Sequence, residues 1–129
     1  VWKLACLVRS MWGVSNLRWL SRDSILEQLK WRYDVEYTQG KRSSLRLIME
    51  HDETPSRFVV LFVSQILTPT LSSDPSVPLP SPPHLMLSDG WYSIPASCDI
   101  LLLDLIRKGK IYVGLKLRIC GATLSGGDP

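Results

Sequence analysis

The sequence predicts a mainly β fold, a small Greek-key barrel, with an α-helical N-terminal segment. Three patterns predict it. Residues 21–49 carry apolar side chains at helical spacing, residues 57–67 form a run of strand-forming apolar residues, and residues 85–122 read as strand, turn, strand, helix and strand. At 129 residues the chain has the size of one compact domain with an appendage, or of a piece of a larger protein.

Two helices are expected in the front part of the chain. Ser21 is suited to cap the first helix, and apolar side chains then recur at spacings of three and four as far as Tyr37. Ser43 or Ser44 is suited to cap a second, shorter helix. Because the residue before a proline disfavours helix, Thr54-Pro55 is expected to stop that second helix.

The first strand is expected over residues 57–67, RFVVLFVSQIL, where apolar side chains occupy both alternating faces. A strand of that kind is expected to be covered on both faces. Residues 68–83 then turn rich in proline and serine, which predicts a variable loop between strands. A docking motif for SH3 or WW domains is the weaker interpretation of these prolines, because no basic anchor flanks them.

A β-hairpin is expected around Asp89-Gly90, the dipeptide that two-residue hairpin turns prefer, with the second strand restarting at Trp91. We interpret Asp89 and Gly90 as structural turn residues. No second carboxylate, histidine or nucleophile lies at a readable spacing from Asp89, so an acid–base role is disfavoured. Substitution of Asp89 is therefore expected to loosen the hairpin and the docking of the helices together.

A helix and a long strand complete the pattern. Asp99 can cap a helix that closes at Gly109, and apolar residues then alternate with polar ones over residues 111–120, which predicts a ten-residue strand. The order strand, loop, hairpin, helix and strand is that of an OB-fold, whose fifth strand is expected to be absent from these residues. The first strand is then expected to keep an unpaired edge.

The expected division is residues 1–55 as the C-terminal part of a helical domain and residues 56–129 as the OB-fold, with the proline-rich loop at 68–83. No run approaches the roughly 18 to 20 consecutive apolar residues that a membrane span needs, so no membrane partner is expected. The three cysteines lack metal-ligand spacing, which favours a reduced intracellular compartment and no metal site.

The sequence holds no phosphate-binding loop, nucleophile elbow, HExxH or paired-carboxylate arrangement, so we expect no catalytic residues, no cofactor and no enzyme activity. With a net charge of only +3, any binding of acidic ligands must rest on local patches. The densest basic patch lies on or between the front helices and could hold an acidic chain or phosphates, the alternative being a solvated helical face. Its members are Lys30, Arg32, Lys41, Arg42 and Arg46.

Two further groups of residues are candidates for contacts. Trp91 and Tyr92 are expected to pack in the core or against a neighbouring domain, with stacking on nucleic-acid bases as the alternative. Lys110, Lys116 and Arg118 form a second basic group, for which a role in solubility is favoured.

Five stretches carry a resemblance to a known family. In order and spacing they resemble the family of the breast cancer type 2 susceptibility protein, at the end of its helical domain and its first OB-fold. The stretches are WKLAC at 2–6, LEQLKWRYDVE at 26–36, RSSLRLIMEHDET at 42–54, LSDGWYSI at 87–94 and GKIYVGLKLRICGATLSG at 109–126.

The resemblance implies a nuclear tumour suppressor, a non-enzymatic mediator of homologous recombination in double-strand break repair. It implies that the helical domain and first OB-fold hold a small, acidic, disordered partner, the protein deleted in split-hand/split-foot malformation. Single-stranded DNA would bind mainly through later OB-folds, and a RecA-like recombinase through other regions. The alternatives are a module that binds single-stranded nucleic acid directly, and an accessory domain of a nucleic-acid enzyme.

Overall fold

The structure, a computed structural model, describes residues 5–7, 9–10, 20–68 and 83–125. Most of the predicted proline-rich loop lies outside the described residues, as do the last four residues of the chain. Among the described residues, no helix combines the length and apolar character that crossing a membrane requires.

The first predicted helix is confirmed, with a widened last turn. Helix α1 spans Arg22–Tyr33 and continues into a π-helical turn at Asp34–Thr38. The Ser21 hydroxyl accepts a hydrogen bond from the Ser24 backbone N–H at 3.2 Å, as an N-cap does. Gly40, at a φ of +68°, then turns the chain away.

The second helix, α2, spans Ser44–Met49 and is capped by the Ser43 hydroxyl. It ends before Thr54-Pro55, so the prediction that this dipeptide stops it is wrong. His51 adopts the left-handed conformation at a φ of 62°, and the Asp52 N–H donates to the Leu47 carbonyl at 2.9 Å. This hydrogen bond satisfies the Leu47 carbonyl at the end of the helix, and the left-handed residue turns the chain away. The helix therefore ends without proline.

The strands form one antiparallel sheet in the order β3-β2-β1-β4, and helix α3 spans Ile100–Arg107 between β3 and β4. This mainly β arrangement is consistent with an OB-fold. Strand β1 pairs with β2 over residues 62–67 and with β4 over residues 59–62. Neither neighbour covers its whole length, so the expected unpaired edge stays a prediction. The strands are β1 at Val59–Leu67, β2 at His84–Ser88, β3 at Ser93–Ser97 and β4 at Lys116–Ile119.

The hairpin between β2 and β3 has a four-residue connection, so the predicted two-residue turn is wrong. Ser88 pairs with Ser93, which leaves residues 89–92 outside the ladder. The Asp89 carboxylate accepts hydrogen bonds from the backbone N–H groups of Trp91 and Tyr92 at 3.0 and 2.9 Å. Together with a bond from the Asp89 N–H to the Tyr92 carbonyl at 3.3 Å, these side-chain bonds close the turn.

Strand β4 is four residues long instead of the ten expected, because the chain turns at Gly114. Gly114 has a φ of 95°, a conformation that residues with a side chain rarely adopt. Its N–H donates to the Val63 carbonyl at 2.7 Å, and the Val63 N–H donates to the Leu115 carbonyl at 2.9 Å. The apolar alternation in this region therefore reflects burial against the core more than continuous strand pairing.

One hydrophobic core joins the helical segment to the sheet. Leu45 of α2 is 2% exposed and lies in the same buried cluster as the sheet residues. The cluster consists of Leu45, Leu61, Val63, Leu85, Leu87 and Ile111.

Only one face of β1 is buried in its first half. Leu61 and Val63 point into the core, whereas Val60 and the preceding Phe58 are 61% and 67% exposed. The expectation that both faces are covered is therefore wrong here. The helical segment reaches the core through Leu45 but leaves the outer face of β1 open.

Candidate functional site

The helical segment and the hairpin turn of the sheet meet at a two-point contact between Arg32 and Asp89. One guanidinium nitrogen of Arg32 donates to the Asp89 backbone carbonyl at 2.8 Å, and the other donates to the Asp89 carboxylate at 2.5 Å. Both side chains are largely buried. Such a two-point, charge-assisted contact fixes the orientation of α1 relative to the hairpin turn.

Glu36 is a buried carboxylate whose oxygens are both used within the chain. One oxygen accepts from the Ser43 backbone N–H at 3.1 Å, and the other from the Tyr92 hydroxyl at 3.2 Å. The first oxygen also lies 3.6 Å from the Arg32 guanidinium. Burial and then the adjacent Glu36 carboxylate raise the pKa of Tyr92, so the phenol remains a hydrogen-bond donor.

The two aromatic residues of the hairpin turn face the helical segment. The rings of Trp91 and Tyr92 lie 5.7 and 5.8 Å from the Arg32 guanidinium, which is within cation–π range. The Trp91 ring is also 6.2 Å from that of Tyr37, which stacks on Tyr33 at 4.9 Å. Trp91 and Tyr92 thus lie in the turn itself and not in the strand where we expected them.

The Asp89 carboxyl group makes the stability of this junction depend on pH. Burial raises its pKa, but the hydrogen bonds from Arg32 and from the backbone of Trp91 and Tyr92 outweigh burial and hold the pKa below its ordinary value. A carboxyl group whose pKa is lowered by folding stabilises the fold above its unfolded pKa of about 3.9. That stabilisation is lost as the pH falls through the folded pKa.

We therefore expect the stability advantage of the wild-type chain over Asp89→Asn to be full near pH 7 and to shrink below about pH 4, because protonated aspartate resembles asparagine. Thermal melts of both proteins, followed by circular dichroism between these pH values, measure the difference. A difference in Tm that stays constant over the range would contradict the assignment.

Most of the predicted basic patch is neutralised inside the chain. Arg42 pairs with Glu50 and Asp52, and Arg46 pairs with Glu50 at 2.7 Å. The hydrogen bonds to Glu50 raise the pKa of Arg42 and of Arg46, and those from Arg46 and Arg42 lower the pKa of Glu50. Since Arg32 is held by Asp89, three of the five predicted residues have intrachain carboxylate partners.

The two lysines of the patch differ from its arginines. Lys30 and Lys41 are exposed, and neither forms an ion pair with any carboxylate in the described ranges. They belong to different elements, since Lys30 lies on α1 whereas Lys41 follows Gly40 in the connection to α2. Of the two lysines, only Lys41 lines the groove between the helical segment and β1.

An open groove of about 420 Å³ separates α1 and the start of α2 from the outer face of β1. Trp31, which is 64% exposed, stands on its helical side, and Phe58 and Val60 line its sheet side. Four charged residues of its lining are already in ion pairs within the chain: Arg32, Glu36, Arg42 and Asp89. Lys41 is the one charged residue of the lining without an ion pair among the described residues. The remaining lining residues are Val35, Ser43, Ser44, Leu45, Val59 and Leu61.

The groove offers apolar surface and one unpaired cation to a ligand. Among the described residues, no three His, Cys, Asp or Glu side chains gather in a way that could hold a metal ion. Sequence reasoning missed the groove, although Phe58 and Val60 alternate with core residues and so share a face. It also missed the contact of Arg32 with Asp89, which joins residues too far apart in the chain for any periodicity to connect.

Comparison with known proteins decides the family. The family model described as "BRCA2, oligonucleotide/oligosaccharide-binding, domain 1" matches residues 43–129. The chain belongs to the BRCA2 family. Two curated relatives from Arabidopsis thaliana, Protein BREAST CANCER SUSCEPTIBILITY 2 homolog A and homolog B, are each 36% identical to it over 129 residues, 98% of the chain.

Membership of the BRCA2 family confirms the resemblance and the mainly β, OB-type fold predicted from the sequence. The chain spans only 11% of the length of each Arabidopsis relative. The matched region begins at residue 43, so it includes α2, whose Leu45 packs in the core of the sheet. The division at residues 55 and 56 stays a prediction.

Proposed function

We propose that this chain is a non-enzymatic part of a nuclear DNA-repair mediator, and that its groove docks an acidic, disordered segment of a small partner protein. The partner class is the one that the family resemblance implies, the acidic protein deleted in split-hand/split-foot malformation. Delivery of a RecA-like recombinase, and single-stranded DNA binding by later OB-folds, are proposals for the whole protein.

The observation that carries the docking proposal is the pairing pattern around the groove. Its two carboxylates, Glu36 and Asp89, are satisfied by intrachain partners, whereas Lys41 has no carboxylate partner among the described residues. An incoming carboxylate therefore meets an available cation at the edge of the groove. The repulsion of that carboxylate by Glu36 and Asp89 is reduced, because the Arg32 guanidinium already compensates both of their charges.

The apolar part of the groove suits a large side chain flanked by acidic residues. Trp31 and Phe58 are both about two-thirds exposed. A partner side chain inserted between them would therefore remove its own apolar surface, and those of Trp31 and Phe58, from water. Burying apolar surface contributes about 25 cal/mol per Å², which offsets part of the cost of ordering a disordered segment. The groove thus favours a partner with both acidic and aromatic residues.

The test is fluorescence anisotropy with a labelled peptide that is rich in Asp and Glu and contains one Trp. We expect Trp31→Ala and Lys41→Glu each to weaken binding about 5- to 30-fold. Lys110→Glu is the matched control for charge, since Lys110 is exposed and does not line the groove. An absence of binding, or an equal loss with Lys110→Glu, would count against the proposal.

A further inference from the structure

Two adjacent serines, Ser43 and Ser44, line the groove where the connection from α1 meets α2. The Ser43 hydroxyl is used within the chain, because it accepts a hydrogen bond from the Arg46 backbone N–H at 3.3 Å. Ser44 is exposed, and its hydroxyl has no hydrogen-bond partner among the described residues. Of the two hydroxyl groups in the groove, that of Ser44 is therefore the one free to react.

Two cations precede Ser44 in an accessible part of the chain. Lys41 and Arg42 lie three and two residues before it, and both are exposed. Residues 40–43 form no regular secondary structure, so an enzyme can reach this stretch from outside. The ion pairs of Arg42 lie at the surface, where such pairs contribute little and are readily exchanged. Cations shortly before an exposed serine form a charge pattern of the kind by which kinases select their substrates.

We propose that Ser44 is a phosphorylation site for a protein kinase that selects basic residues before its target serine, and that the phosphate controls docking of the acidic segment. This inference rests on the docking function proposed for the groove. In the reaction, the Ser44 Oγ bonds to the γ-phosphorus of ATP, and the bond from that phosphorus to the oxygen bridging it to the β-phosphorus breaks. ADP leaves with the electron pair of the broken bond, and the serine proton passes to the catalytic aspartate of the kinase.

The phosphate reverses the charge of the groove. The lining contains three cations and two carboxylates, which leaves one positive charge in excess. A phosphoserine carries a charge of about −1.5 to −2 at pH 7, so the lining becomes net negative. The modified groove therefore repels an acidic chain that the unmodified groove attracts.

The position of Ser44 also brings the phosphate to the apolar wall of the groove. Ser44 lines both the groove and a smaller cavity of about 70 Å³ beside it, and Phe58 and Val59 line the same two cavities. A partner side chain that packs on Phe58 would then have to remove water from a neighbouring phosphate, which is unfavourable. The modification thus opposes both the charged and the apolar part of docking.

The first experiment measures phosphate incorporation. The full chain is incubated with ATP and the catalytic subunit of cyclic-AMP-dependent protein kinase, and modified residues are mapped by mass spectrometry. We expect phosphate on Ser44, and we expect Arg42→Ala to slow its incorporation about 10- to 150-fold, the range for losing one hydrogen bond to a charged group. Arg46→Ala, which also removes a cation paired with Glu50, is the matched control and should not slow it.

Phosphate found on Ser43 and not on Ser44, no phosphate on either, or equal rates for Arg42→Ala and Arg46→Ala would overturn the assignment of the site.

The second experiment measures the anisotropy of the labelled acidic peptide that contains one Trp, titrated with the unmodified and the phosphorylated chain. We expect phosphorylation to weaken binding at least about 10-fold at low salt, because like charges meet at the interface, and we expect the loss to shrink as salt rises. Removal of the phosphate with a phosphatase should restore binding. The affinity of Ser44→Ala should not change on treatment with the kinase. Equal affinities of the unmodified and phosphorylated wild-type chain would overturn the control of docking.

Two variants separate the charge of the phosphate from its bulk. Ser44→Glu adds a negative charge to the groove, whereas Ser44→Gln adds a side chain of nearly the same size without charge. We expect Ser44→Glu to weaken peptide binding more than Ser44→Gln and less than the phosphate does. An equal loss in the two variants would contradict the charge reversal. Thermal melts verify that each variant remains folded.

The two readouts distinguish failure of this inference from failure of the docking function. An unmodified chain that does not bind the peptide overturns docking and with it the control of docking, while the mapping of phosphate still decides the modification site. A chain that binds the peptide but gains no phosphate on Ser44 overturns the phosphorylation and leaves the docking function standing.

Discussion

Replacing Asp89 with histidine is expected to lower the free energy of unfolding by about 3 to 5 kcal/mol, the usual cost of removing one partner from a buried ion pair. The substitution leaves the largely buried Arg32 guanidinium without its carboxylate. It also removes the acceptor for the backbone N–H groups of Trp91 and Tyr92, which shapes the hairpin turn. A single change therefore loosens the turn and the docking of α1 at once.

Urea denaturation followed by circular dichroism measures the effect of Asp89→His. The matched control is Asp104→His, because Asp104 forms an exposed pair with Lys108 at 2.6 Å. Exposed pairs contribute little, so the control should change the free energy of unfolding by no more than about 1 kcal/mol. An Asp89→His protein as stable as the wild type would show that the contact does not hold the junction.

Truncating Leu45 to alanine is expected to lower the free energy of unfolding by about 2 to 5 kcal/mol, the range for removing a large aliphatic side chain from a core. Leu45 is among the largest fully buried side chains of the described residues, and it packs with residues of β1 and β2. The loss should destabilise helix and sheet together because they share this core.

Two variants control the Leu45 prediction. Leu45→Met nearly conserves volume and should cost less than about 1.5 kcal/mol. Leu101→Ala removes the same atoms from a residue that is 75% exposed, and surface changes of this kind usually stay within about 0.5 kcal/mol. If Leu45→Ala were no more destabilising than Leu101→Ala, α2 would not belong to the core of the sheet.

Local signals in the sequence predicted the helix starts well. Ser21, Ser43 and Asp99 each accept a hydrogen bond from the backbone N–H three residues later. Such caps depend only on neighbours in the chain, so spacing is enough to find them. The predicted order of the strands and the intervening helix holds for the same reason, since periodicity reports which residues face the core.

Features that depend on tertiary contacts could not be predicted from the sequence. The hairpin turn is longer than predicted because the Asp89 side chain, held by Arg32, accepts hydrogen bonds from the backbone of the turn. The last strand is shorter because the chain turns at Gly114, whose N–H donates to the Val63 carbonyl. Apolar and polar residues alternate on both sides of Gly114 as in a strand, so the sequence pattern does not reveal this turn. The intrachain neutralisation of Arg42 and Arg46 likewise follows from the fold of α2 and the residues after it.

The central position of β1 has a kinetic consequence. Its two neighbours in the sheet come from later parts of the chain, and its pairing with β4 joins Val59 to Ile119. Contacts between such distant residues form slowly because the intervening loop must close first, and β-rich domains of this kind fold in milliseconds to seconds. During synthesis, β1 would therefore lack its neighbour β4 until residue 119 has left the ribosome.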